Sequence, residues 1–86
     1  RSDKDQINEM AKPSLQEILD RELPPARIKV LETSVVKKDR SSNEYEGIAL
    51  IRFKGDEIYI GFNVIFDGED AILSVPSEEM LRLTFF

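Results

Sequence analysis

The two side chains that carry much of protein chemistry, the thiol and the imidazole, are missing from this sequence: it contains no cysteine and no histidine. The first absence removes disulfides, thiol catalysis and zinc–thiolate sites. The second removes the commonest general base, the commonest metal ligand and the usual switch near neutral pH. Carboxylates and hydroxyls remain. Asp67, Glu69 and Asp70 form the densest acidic cluster, but a calcium site needs about six oxygen ligands at set spacing. The tight run Asp67-Gly68-Glu69-Asp70 cannot wrap an ion and reads as turn chemistry. Glu44 and Glu46 stand two apart, on one side of a strand, where paired carboxylates could do acid–base work; a solvated face explains them as well. Ser34, Ser41, Ser42 and Ser74 have no histidine partner and no nucleophile motif around them. The glycines, Gly47, Gly55, Gly61 and Gly68, are isolated and form no phosphate-binding loop. We expect no catalytic residue, no metal site and no cofactor.

Tyr45, Phe53, Tyr59, Phe62 and Phe66 would suit a base-stacking platform only beside a basic stripe. The chain is acidic instead, with 12 basic against 17 acidic residues and a net charge of −5. Its nearest basic group, Lys37, Lys38 and Arg40, is interrupted by Asp39 and followed by Glu44. Neither nucleic acid nor an anionic membrane surface is an expected partner. No apolar run approaches the ~20 residues of a membrane span, so no membrane insertion is expected. The first apolar residues are scattered among charges, unlike a signal peptide. The chain opens on Arg1-Ser2 rather than Met, which points to a fragment.

The elements that hold these residues can be read from periodicity. Eighty-six residues, 41% of them hydrophobic, suffice for one domain, 1–86, with a modest core. Residues 1–12 are polar and charged, either partly disordered or, with Ile7, Met10 and Ala11 at i, i+3 and i+4, a short helical turn. Pro13 then opens a fresh helix. Ser14-Leu15-Gln16-Glu17 has the capping-box spacing, and Leu15, Ile18, Leu19 and Leu23 continue the stripe. A kinked helix from about Asp5 to Arg21 is the alternative. Pro24-Pro25 ends the helix.

Beyond Pro25 the period becomes two. A first strand covers Arg27 to Lys38, with a loss of phase between Val30 and Val35 that predicts a bulge. A second covers Glu44 to Lys54 and a third Glu57 to Asp67, joined by a type II′ turn at Gly55-Asp56. That turn sets Phe53 against Ile58, Ile51 against Ile60, Ala49 against Phe62, Gly47 against Val64 and Tyr45 against Phe66. A second turn at Gly68-Glu69 sets Phe66 against Ala71, Val64 against Leu73 and Phe62 against Val75, in a fourth strand from Ala71 to Val75. Both hairpins place their apolar residues on one face, which the helix covers. The tail leaves two readings open. Pro76-Ser77-Glu78-Glu79 opens as a short helix would, while Leu81, Leu83 and Phe85 alternate as a fifth strand would. The terminal pair Phe85-Phe86 calls for the core, a partner or a missing continuation. The expected fold is thus α+β, an N-terminal helix packed on a four-stranded or five-stranded curved antiparallel meander.

The other sheet face is mixed. It carries Ile48, Leu50 and Ile65 with Tyr59, beside Glu46, Arg52, Asn63, Ile72 and Ser74, and Gly61 lies in mid-strand, where a bend or a close neighbour would need it. A fully solvated face would alternate to polar residues, so Ile48, Leu50, Arg52, Tyr59, Asn63 and Ile65 are the candidate partner-binding residues.

The helix followed by a long meander, with Tyr45 and Gly47, the alternation from Ile58 to Phe66, then Asp67-Gly68 and Val75-Pro76, resembles the cystatin-like and NTF2-like α+β group, in particular small bacterial envelope or lipoprotein domains. The resemblance covers most of the chain and implies a binding or accessory role, often dimeric and often outside the cytoplasm. It implies no site residue, and the extra helices and pocket acids of the enzymatic members are missing here. The expected function is therefore a non-catalytic protein-binding or assembly module acting through a sheet face or edge, its partner another protein or a second copy. The alternative is a small-ligand carrier with its pocket between helix and curved sheet.

Overall fold

The computed structural model describes residues 2–85. Helix α1 runs unbroken from Asp3 to Glu22, which corrects the expected fresh start at Pro13 and makes the kinked-helix alternative the nearer one. Its N-cap is Ser2, whose hydroxyl accepts from the Asp5 N–H at 3.3 Å; Ser14 lies inside the helix and caps nothing. Pro13 sits on the exposed side, where water can serve helix carbonyls that lose a donor. The stripe Ile7, Ala11, Leu15, Leu19 is fully buried, and its four-residue step carries straight through the proline. The helix ends at Leu23, whose N–H still bonds to the Leu19 carbonyl, and Pro24–Ala26 forms one 3₁₀ turn.

Four strands follow, β1 Lys29–Lys37, β2 Glu44–Phe53, β3 Asp56–Phe66 and β4 Ala71–Ser74, in one antiparallel sheet of order β1-β2-β3-β4. The expected bulge lies in β1, where the pairing slips between Val30 and Glu32. The second hairpin has the expected register, Phe66 opposite Ala71 and Val64 opposite Leu73, but β4 stops at Ser74, so the expected Phe62–Val75 pair does not form; Gly68 takes the positive φ its turn requires. The first hairpin does not. Its loop is Lys54-Gly55, both residues with positive φ, as a type I′ turn requires. Phe53 therefore faces Asp56, Ile51 faces Ile58, Ala49 faces Ile60, Gly47 faces Phe62 and Tyr45 faces Val64. Moving the loop by one residue shifts the register by two, which leaves every side chain on its expected face.

One face of the sheet supplies Tyr45, Ala49, Ile51, Phe53, Ile60, Phe62, Val64 and Phe66 to the core. The α1 stripe packs onto it, each large side chain contributing about 1.5–3 kcal/mol. The tail is a helix, α2 Ser77–Phe85, not a fifth strand. Its Leu83 joins the core. Phe85 is 81% exposed, so it is not tucked in, and Phe86 lies outside the described residues.

Candidate functional site

The register of the sheet fixes what shares its outer face. In successive rows, Arg52 lies between Lys29 and Glu57, Leu50 between Glu32 and Tyr59, and Ile48 between Ser34 and Gly61. Glu46 then lies between Val36 and Asn63, and Ile65 between Glu44 and Ile72. The six candidate residues thus share one face but not one patch. Ile48, Leu50 and Tyr59 form an apolar group, with Ile48 58% and Tyr59 65% exposed and Leu50 half-buried between its neighbours. Arg52 borders it, held by Glu57 at 3.2 Å. Both partners are half exposed, so the pair is a weak one. Glu46 and Asn63 form a polar row, and Ile65 belongs beyond it with Ile72, at 46% and 68% exposure.

A depression of about 250 Å³ opens between these groups, lined by Val36, Glu46, Ile48, Gly61, Asn63 and Pro76. Gly61 explains part of it, having no side chain to fill the space. No close neighbour requires the glycine: Glu79 Oε1 of α2 would stand 3.7 Å from a β-carbon at Gly61, an ordinary contact. Glu79 Oε2 is shielded from water without a hydrogen bond, its charge answered by the Arg82 guanidinium at 3.4 Å. Arg82 also donates to the Tyr59 carbonyl. Strand β4 pairs only with Asn63–Phe66, so α2 and Arg82 serve the part of the β3 edge that β4 does not reach. The sequence held one sign of this, the i, i+3 spacing of Glu79 and Arg82.

A second unforeseen residue, Gln16 of α1, treats the β1 edge as a neighbouring strand would. Its Nε2 donates to the Ile28 carbonyl at 2.6 Å and its Oε1 accepts from the Val30 N–H at 2.8 Å. These two main-chain groups point away from β2, and the amide pairs both at once. Two turns earlier on the helix, Asn8 accepts from the Thr33 hydroxyl at 3.3 Å.

The acidic turn is occupied by its own backbone. Asp67 accepts from the N–H groups of Glu69 and Asp70 at 2.9 and 2.7 Å. The Asp70 and then the Glu69 amide hold its carboxyl below the ordinary range. Among the described residues no three acidic side chains converge as a metal site would need, and no helix is long and apolar enough to cross a membrane. The buried side chains named above pack between α1 and the sheet, a groove stays open between α1 and β4, and the depression over Gly61 opens on the outer face. What that face offers is apolar contact inside a charged rim of Glu32, Glu44, Glu46, Arg52 and Glu57. No described protein family, curated protein or solved structure matches this chain.

Proposed function

We propose that this domain is a non-catalytic protein-binding or assembly module, and that it works through the outer face of its sheet. The observation that carries the proposal is the group Ile48, Leu50 and Tyr59. Two of its three members are more than half exposed, although Arg82 of α2 reaches the Tyr59 carbonyl. An apolar centre within a polar rim is the anatomy of a protein interface. The rim is predominantly acidic, so the fitting partner is a folded protein with an apolar knob flanked by lysine or arginine. The resemblance to cystatin-like and NTF2-like domains supports the same reading through the binding and accessory roles it implies.

The test is a photo-crosslinking amino acid at position 59, with Ile48→Glu and Leu50→Glu as competitors of the contact. The expected outcome is one specific protein crosslinked at position 59 and lost in both variants, with melting temperatures within a few degrees of wild type. Unfolding of both variants would make the face internal core, and a crosslink insensitive to them would place binding elsewhere.

A further inference from the structure

The edges of the sheet are guarded unequally against strand addition. The first half of the β1 edge is held by Gln16 at Ile28 and Val30 and broken by the bulge after Val30. Its open half runs into Lys37 and Lys38, the residue type that guards natural edges. The overhang of β3 is served by α2 through Arg82. Strand β4 is protected only by its shortness, four residues before Val75 and Pro76, and no side chain bonds to its outer edge among the described residues. Asp67 and Asp70 close the turn as a bonded pair, so Ile72 and Ser74 direct their main-chain groups to β3 and Ala71 and Leu73 direct theirs outward. No residue of this chain meets those donors and acceptors among the described residues. Beside them a groove of about 340 Å³ runs between α1 and β4, lined by Ile18, Leu73, Val75 and Met80 with the ion pair Arg21–Glu22 at its rim.

We propose that this edge is completed by the same edge of a second copy, β4 pairing antiparallel with β4 across a two-fold axis into one eight-stranded sheet. This deepens the assembly reading above and rests on it. The register follows from the outward groups. Using all four main-chain groups of Ala71 and Leu73 sets Ala71 against the partner's Leu73 and Leu73 against the partner's Ala71, large against small on the α1 side. The axis then passes through a non-bonded Ile72–Ile72 pair, the kind in which side chains come closest. On the outer face Ile65 flanks Ile72 in each copy, so the seam closes four exposed isoleucines into one strip. The same register lays each acidic turn alongside Val75 of the other copy, where the Arg21–Glu22 pair borders the groove. The apolar seam is self-complementary, which is what a second copy supplies. The short strand gives a contact that forms and parts with concentration.

The absence of cysteine makes the test clean. Ile72→Cys in the full chain should form a disulfide-linked dimer under mild oxidation at least tenfold faster than Tyr59→Cys, since the non-bonded pair brings the two β-carbons near disulfide range. Sedimentation of the wild type should show a monomer–dimer equilibrium, abolished by Ile72→Lys and by Ala71→Pro, each with an unchanged melting temperature. A wild type that stays monomeric at millimolar concentration overturns the proposal. So does faster crosslinking at position 59 than at 72, or a dimer that survives Ile72→Lys. Crosslinking of a different protein at position 59 tests the outer-face reading alone, so the two can fail separately.

Discussion

At the scale of single residues, two mid-strand glycines have opposite reasons to exist. A β-carbon on Gly47 would lie 2.2 Å from Phe62 Cζ, because the ring of its cross-strand partner lies over the glycine in the core. Gly47→Ala must push a fully enclosed ring aside, and overpacking of this kind costs about 1–3 kcal/mol. In a domain of this size that is a fall in melting temperature of roughly 5–20 °C. At Gly61 a β-carbon would meet Glu79 Oε1 at 3.7 Å and the Gly47 carbonyl at 3.8 Å, ordinary contacts that need no movement. Gly61→Ala removes unfolded-state freedom and is expected to be neutral or stabilising by up to about 1 kcal/mol. Thermal melts of the two variants side by side decide the matter; equal losses would mean that the ring over Gly47 is not what constrains it. The sequence shows two glycines at similar depth in neighbouring strands and does not separate them, because the difference lies in which side chain crosses the strand.

At the scale of elements, the same limit explains the first hairpin. Alternation fixes which face a residue takes, and it is blind to a slip of two residues. Between Gly55-Asp56 and Lys54-Gly55 the turn alone chooses, and the structure takes the loop that forces Lys54 to a φ of 53°. A left-handed lysine costs roughly 1–2 kcal/mol, offset in part by its ammonium over the Phe53 ring at 5.2 Å, worth about 0.5–1 kcal/mol when exposed. Asparagine tolerates this conformation and precedes glycine in the favoured type I′ loop. Lys54→Asn should therefore raise the melting temperature by a few degrees, and a lowered one would show the ring contact to outweigh the strain. The second hairpin was legible because Gly68 stands where its turn needs it, and the bulge because Val30 and Val35 fall out of phase. The helix was legible in its stripe but not in its length: Ala11 and Leu15 keep the four-residue step across Pro13, a signal stronger than the proline's. The outer face was legible as a face. Its division into two apolar groups, and the parts played by Gln16, Glu79 and Arg82, depend on contacts between elements that no local spacing records.

At the scale of the whole molecule, the order in which main-chain bonds open follows from how each strand is flanked. Strand β2 is bonded on both sides along its length, by β1 and by β3. Strand β3 is bonded on both sides only from Asn63 to Phe66. In its first half Ile58, Ile60 and Phe62 point their N–H groups to β2, while Tyr59 and Gly61 point theirs to the edge that α2 serves only through a carbonyl. A nine-residue helix is below the length that is stable alone, about 12–15 residues, so α2 opens at small free-energy cost and takes that edge with it. Hydrogen exchange is expected to be slowest in the central hairpin, at 45–53 and at those amides of 58–66 that are bonded to a neighbouring strand, limited there by global unfolding. Within β3 it should alternate, slow at Ile58, Ile60 and Phe62 and fast at Tyr59 and Gly61, before becoming uniformly slow from Asn63. Residues of α1 should exchange faster than β2, since Pro13 takes one main-chain donor from the helix and only one of its faces is covered. Protection greater in α1 than in β2 would move the organising centre to the helix. Uniform protection across Tyr59 and Gly61 would mean instead that something holds the β3 edge as firmly as a strand does.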